Sequence, residues 1–469
     1  MEEKYERVYD KKLVMSIFAT GLLTFTGIIV ETAMNVTFPT LMEQFNISTS
    51  TVQWCTTGYL LALSIVITIS AFLKKRFKTK QLFVTALLLF LAGTVLCALA
   101  PAFSLLLCGR MIQGIATGIA LPLMMNIILE QATLEKTGML MGVAMLITAV
   151  APAIGPALGG VLVDTLGWRS IFWVLVPLLL ISFVLGIISI RQGWKTEKIS
   201  LNFTEWIMLA ISFICLILAT SYIPELGIWS PIIWLLFLGC IVFLLLFVRH
   251  SKKCTTPLID VEIFSSKIYI FTVIAIFTQQ IVCLGIGYVV PNLPQLSWGV
   301  SSSVAGMIMV PGCLVAAIFS PVAGKWLDKV GPIKPITLGI ISAVTGTFLI
   351  AFVAPRTGWV FSFMFFYIIF AIGLAFLTGN IITNGLRHVK DKYVADGNAI
   401  NNTVQQLAGG VGTAIATTIV AIAQSDTTRS IATTTYTGAI RALMALFIFQ
   451  IVALICVVIA LRLTAKKKK

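Results

Sequence analysis

Long apolar runs separated by short polar breaks make up the whole chain. Each run is apolar all round rather than along one stripe, and each lasts about the 20 residues that a bilayer core requires. Water does not reach that depth, so a spanning segment must be a helix or part of a closed barrel. Runs this long and uniform do not alternate as barrel strands do. Fourteen spanning helices are therefore expected, over residues 13–36, 50–73, 82–100, 104–128, 138–162, 170–190, 203–222, 231–248, 268–291, 303–323, 335–353, 359–383, 398–422 and 438–461.

Composition agrees. Of 469 residues, 58% are hydrophobic and only 11% charged, with a mean hydropathy of +1.01. Soluble domains keep about 25% charged residues to cover their surface. The start, MEEKYERVYDKK, is polar and the first apolar run is too long for a signal peptide, so no cleavable leader is expected.

A net charge of +15 would fit nucleic acid if the charges lay on one face. Their placement says otherwise. With the N-terminus in the cytoplasm and the helices alternating, 28 of the 33 Lys and Arg fall in cytoplasmic segments. The outer segments hold Arg169, Arg356, Arg429 and Arg441, and Arg110 lies inside a span. This is the positive-inside pattern, with both ends in the cytoplasm. It reads as a multi-pass protein of a bacterial inner or plasma membrane, whose basic loops meet anionic lipid rather than nucleic acid.

Nine cysteines are scattered without a C-x-x-C pair, and both histidines, His250 and His388, sit beside basic residues at helix ends. No metal site and no His-based catalysis is expected, so the chain is not read as an enzyme. The loops at 71–78 (AFLKKRFK) and 324–331 (GKWLDKVG) form a weak repeat. Each lies between the second and third helix of a six-helix block. The expected plan is six plus two plus six: 1–190 a first bundle, 191–266 a linker with two inserted helices, 267–469 a second bundle with a basic tail. Parallel halves with a site near the midplane are a transporter layout.

Glu31 lies deep in the first span, in IIVETAMNVTFP. Ionisable side chains at that depth face cavities and mark ion or proton pathways. Removing a carboxyl from water favours its neutral acid, so such a group can take a proton on one side and release it on the other. A carboxylate that only joins helices is the alternative. Arg110, in LLLCGRMIQGIATGIALP, must find backbone carbonyls or a carboxylate. Direct pairing with Glu31 and indirect coupling through Gln113 or carbonyls are both open. The fifth span carries APAIGPALGG, with Pro152 and Pro156 permitting bends and Gly155, Gly159 and Gly160 permitting close helix contact. Amides at Asn35, Asn126, Gln279, Gln280, Asn380 and Gln405 could bind a ligand or join helices. Phe25, Tyr59 and Tyr288 could line a cavity for an apolar cation.

At these residues the chain resembles the major facilitator superfamily, and within it the fourteen-helix drug:proton antiporters of the EmrB/QacA type. The resemblance covers nearly the whole chain. Glu31 to Pro39 resembles the L-D-x-T-x-x-N-V-A-L-P signature, with Glu for the usual Asp. Arg110, Gln113, Gly114 and Gly118 match the fourth-helix pattern, and residues 155–160 match G-P-x-x-G-G. WRSIFWVLVP at 168–177 and NNTVQQLAGGVGTAI at 401–415 resemble the sixth- and thirteenth-helix signatures. The resemblance implies proton-driven export by alternating access, with no cofactor beyond the proton gradient. Glu31 would be the coupling site, Arg110 would assist the proton step, and Gly155 and Pro156 would mark an exporter. The implied cargo is a small amphipathic, often cationic compound, carried by a monomer in the lipid bilayer. A dedicated exporter of one metabolite, lipid or peptide is the alternative. The loop pattern G-x-L-x-D-R-x-G is broken in the first half by Ala71, Lys75 and Lys78, and kept in the second by Gly324, Asp328 and Gly331.

Overall fold

The computed structural model describes residues 9–197, 199–254, 257–390 and 393–467. Among them there is no strand, and thirteen helices are long and apolar enough to cross a membrane. In chain order the helices are α1 Lys11–Phe45, α2 Thr49–Ile67, α3 Thr79–Leu99, α4 Phe103–Gln131, α5 Leu134–Leu166, α6 Ser170–Ser189, α7 Phe203–Ser221, α8 Pro231–Ser251, α9 Lys267–Trp298, α10 Ser302–Val330, α11 Ile333–Thr357, α12 Val360–Leu386, α13 Val394–Gln424 and α14 Ile431–Lys467. The thirteen are all of these except α5.

Local chemistry sets the helix ends, and several fall outside the apolar runs. The Asp10 carboxylate accepts from Leu13 N at 2.9 Å and starts α1. Asn46 ends it in the left-handed region, φ 50°, with its N–H on the Glu43 and Met42 carbonyls. The apolar run predicted a stop at residue 36. The helix instead passes Pro39, which removes a single backbone donor, and carries Phe45 to the rings of Phe103 and Trp168. α14 begins at Ile431 rather than 438, because the Ser430 hydroxyl accepts from Thr433 N and caps it. Arg441, counted with the outer segments although the predicted span 438–461 covers it, lies within this helix and is exposed.

α1 packs on α4, α5 and α6; α9 packs on α12, α13 and α14. The two groups of helices meet where α2 faces α13, α5 faces α10 and α1 faces α9. α7 and α8 pair with each other, and α7 also touches α2 and α13. α8 leaves Leu235, Leu238, Ile241 and Leu245 exposed, as a lipid-facing helix must.

The repeated loops differ for a backbone reason. α10 runs through Lys325 and Asp328 and stops at Gly331, whose φ of +80° suits glycine. At the equivalent turn Lys78 is extended, φ −67°, and needs no glycine. The loss of Gly at 78 therefore follows from a different turn.

Candidate functional site

Glu31 faces inward from the middle of α1 with 8% of its surface exposed. Among the described residues no hydrogen bond or ion pair within 4.0 Å engages its carboxylate. One turn earlier, at Gly27, α1 is crowded by α4: a Cβ there would lie 2.7 Å from Thr117 Oγ1. One turn later, Asn35 ties three helices. Its side-chain oxygen accepts from Thr56 Oγ1 of α2 at 3.0 Å, and its carbonyl accepts from Asn292 Nδ2 of α9 at 2.9 Å.

Arg110 is fully buried and does not pair with Glu31. Its Nε donates to the Cys55 carbonyl at 3.0 Å, where α2 begins, and its Nη1 donates to Gln113 Oε1 at 2.9 Å. The guanidinium lies over the Tyr59 ring, 4.3 Å from the centroid. Gln113 Nε2 continues to Thr94 Oγ1 of α3 at 2.9 Å. The Tyr59 hydroxyl reaches the Gly27 carbonyl at 3.1 Å and Thr117 Oγ1 at 3.0 Å. The network thus returns to α1 one turn from Glu31, and the positive charge stays within electrostatic reach of the carboxylate. Of the two arrangements left open by the sequence, direct pairing is absent among the described residues, and Arg110 holds Gln113 and a backbone carbonyl instead. Gly114 makes the network compact, since a Cβ there would meet the Tyr59 carbonyl at 2.3 Å.

The glycine–proline motif of α5 has two faces. A Cβ on Gly155 would sit 1.9 Å from Thr32 Oγ1, the neighbour of Glu31, and one on Gly159 would press on Ala33 at 2.9 Å. On the other face a Cβ on Gly160 would lie 2.2 Å from the Ser302 carbonyl, and one on Gly306 of α10 would lie 2.0 Å from the Pro156 carbonyl. Pro152 is half-buried one turn before Pro156. The motif therefore joins the helix that carries Glu31 to the opposing half.

The remaining candidates scatter. Gln279 Oε1 accepts from Gln450 Nε2 at 2.9 Å, deep in the second half. Gln279 and Gln280 line a small cavity with Thr378, Leu377 and Ile381 between α9 and α12. Tyr288 is buried and packs on Phe38 at 5.8 Å between ring centroids. Asn380 Nδ2 donates to the Ala323 carbonyl at 3.3 Å and to Phe376 O at 2.9 Å, joining α12 to α10. Gln405 Nε2 reaches its own helix at Asn401 O, 3.3 Å. Phe25 and Asn126 are half-buried. Asp328 pairs with Arg387 at 2.9 Å near the end of α10, and Gly324 has open space beside it.

Several residues escaped the sequence reading. Glu205, at the start of α7, is another buried carboxylate, this one with no exposed surface, held by His250 Nδ1 at 3.0 Å and Leu258 N at 2.6 Å. Gln450 and Asn292 carry amides whose partners are distant in sequence. Asp164 accepts from the Ser303 N–H at 2.7 Å and from its hydroxyl, across the two halves.

The sequence profile of the Major Facilitator Superfamily matches residues 20–413. The chain belongs to this superfamily. It is 33% identical to the lincomycin resistance protein LmrB of Bacillus subtilis, over 88% of this chain and 87% of that protein. A multidrug resistance protein B homolog of Mycobacterium tuberculosis is 26% identical over 87% of this chain and 77% of its own length. Among solved structures, the fold resembles a bacterial homolog of the lysosomal transporter Spinster in an inward-facing, unoccupied conformation. The TM-score is 0.71 at 15% identity, covering 97% of this chain and 98% of that one. The POT family transporter PepTSo gives a TM-score of 0.69 at 11% identity, covering 98% of both chains. The superfamily member is accordingly a multi-pass protein of the bacterial cell membrane and a transporter by family.

Proposed function

We propose that this superfamily member is a proton-coupled antiporter that exports amphipathic, often cationic compounds by alternating access. The observation that carries the reading is Glu31: a deep carboxylate in α1 with no hydrogen-bonding or ionic partner among the described residues, flanked by helix contacts that reach both halves. A carboxylate held for structure would be satisfied by donors, as Glu205 is. One left bare is free to exchange a proton for a cationic or hydrogen-bonding cargo. The relatives named for lincomycin and multidrug resistance support a drug cargo.

In this reading all fourteen helices span the membrane as six plus two plus six, with both ends in the cytoplasm. The halves comprise residues 1–190 and 267–469, and α7 and α8 are the inserted pair. The hydrogen bonds between halves gather toward the ends marked by Thr49, Asp164, Ser302 and Gln424. With the N-terminus inside, those ends are outer, and the described state is closed outward. One inward proton supplies about 2.3 kcal/mol per 100 mV, and a tenfold gradient of an uncharged substrate requires about 1.4 kcal/mol. A monovalent cation returns the electrical term, so its export draws on a second proton or on the pH gradient. One or two protons therefore sustain roughly a hundredfold gradient.

The test uses inverted membrane vesicles energised with a proton gradient, loaded with a cationic dye and separately with lincomycin. Wild type should accumulate at least one of them, and Glu31→Gln should bind without accumulating. Uphill accumulation by Glu31→Gln would remove Glu31 as the coupling site.

A further inference from the structure

The two seams that close the outer end are built differently. In the α5/α10 seam, Gly160 and Gly306 bring backbones together, and Asp164 satisfies the Ser303 N–H and hydroxyl. In the α2/α13 seam, Thr49 Oγ1 donates to Gln424 Oε1 at 2.6 Å near one end. Further in, Gly409 and Gly410 face Leu60 and Thr57: a Cβ added on either would lie 3.5–3.6 Å from the Leu60 side chain, and one on Gly410 would lie 3.9 Å from the Thr57 carbonyl. Thr49, Gln53, Thr57 and Leu60 share one helical face by their spacing, so Gln53 lies between the two contact points. Its side chain is fully buried, and neither its Nε2 nor its Oε1 has a partner. The fully buried Thr57 hydroxyl has none either.

Among the described residues nothing across the seam answers them. The facing hydroxyls of Thr413 and Thr417 donate to their own helix, at Gly409 O and Thr413 O. Beside the seam, Asn292 donates twice, yet its Oδ1 is unmet. A buried polar group without a partner carries its full desolvation cost, and the cost is relieved when the seam parts and water or cargo enters.

We propose that the α2/α13 seam is an outer gate biased to open by its own unmet polar row. Once open, Gln53 and Thr57 form a stretch of exit-path wall that hydrogen-bonds uncharged hydroxyl and amide groups of the cargo. The seam thus acts as a sprung door, while the α5/α10 seam acts as the better-satisfied hinge side. This rests on the alternating-access reading above, but not on the identity of the cargo or on proton coupling.

The test is hydrogen–deuterium exchange of the full-length protein in lipid nanodiscs, without substrate. Gln53→Met keeps the side-chain length and removes both orphan groups. Thr57→Val keeps the shape and removes one. Each should slow exchange in peptides covering 46–60 and 409–428, about tenfold for each orphan group removed, with 156–170 following less. The same variants should bind substrate from the inner side as wild type does and turn over more slowly. Unchanged or faster exchange at the seam in Thr57→Val overturns the proposal, because that variant introduces no packing defect. Failure of the Glu31→Gln vesicle test leaves this exchange result intact, so the two readings fail separately.

Discussion

Replacing Gly306 by alanine would put a methyl carbon 2.0 Å from the Pro156 carbonyl oxygen. Carbon and carbonyl oxygen tolerate approach to about 3.3–3.6 Å, so α5 and α10 would have to separate by more than about 1 Å along this line. The obstacle is backbone on a proline, which cannot swing aside as the end of a side chain can. Overpacking of this kind costs typically about 1–3 kcal/mol, and the cost falls only on the state in which the seam is closed. The ratio of open to closed outer ends should therefore rise by roughly 5- to 150-fold. Exchange of peptides covering 156–170 and 300–310 in nanodiscs reads that ratio directly. Gly324→Ala, on the same helix, has nothing within 4 Å of its added carbon and should leave exchange at the seam unchanged. If Gly306→Ala exchanges at the wild-type rate, the helices absorb the methyl while closed, and the argument that this contact holds the outer end shut is wrong.

Arg110→Lys keeps the charge but loses the fork that serves the Cys55 carbonyl and Gln113 together. With hydrogen bonds to charged groups at about 1.5–3 kcal/mol each, the melting temperature should fall by several degrees and export should be lost. Recovery of full transport by lysine would show that charge alone suffices. Asp164→Asn weakens the acceptor for Ser303 and should shift the outer end toward open by a few-fold, within the roughly 0.3–1 kcal/mol of a charge near a helix start. The Asp10 carboxyl is held below the usual carboxylate range by the Leu13 N–H and by Arg191. A depressed folded pKa adds stability above the unfolded value, about 3.9, and loses it as pH falls through the folded value. The melting-temperature gap between wild type and Asp10→Ala should be level from pH 5 to 8 and shrink below about pH 4. A gap that persists unchanged at pH 3 would show that capping charge is not its source.

Much of the architecture was legible because bilayer physics is one-dimensional. Each apolar run marks a helix whether or not its neighbours are known, and every run found one. The ends were less legible, since Pro39 and Ser430 act through single hydrogen bonds that hydropathy does not register. Lone charges in apolar runs were also legible, so Glu31 and Arg110 stood out. Their partners did not. Arg110 uses the Cys55 carbonyl, and a backbone oxygen has no sequence signature. Gln450 gives no signal of its own in the sequence, and only the fold sets it against Gln279. Glu205 lies near the start of the predicted span 203–222, where an acid at a helix end draws no notice, although the fold buries it completely.

Gln53 is the most instructive omission. Near the start of an apolar run, a glutamine reads as a residue at the water boundary. In the closed state it is among the most buried polar side chains of the chain, and both of its groups are unmet. A static protein would be expected to replace it, because consistency across levels favours satisfied or apolar interiors. A transporter has to leave each closed state as readily as it enters it. An interface satisfied in every atom would deepen one state and slow the cycle. The mismatch at Gln53 and Thr57, opposite a row of threonines that serve their own helix, is therefore where the requirements of folding and of turnover conflict. The same logic separates the two outer seams. Where Asp164 meets Ser303 the contact is complete and should resist opening, and where Gln53 meets nothing it should yield first.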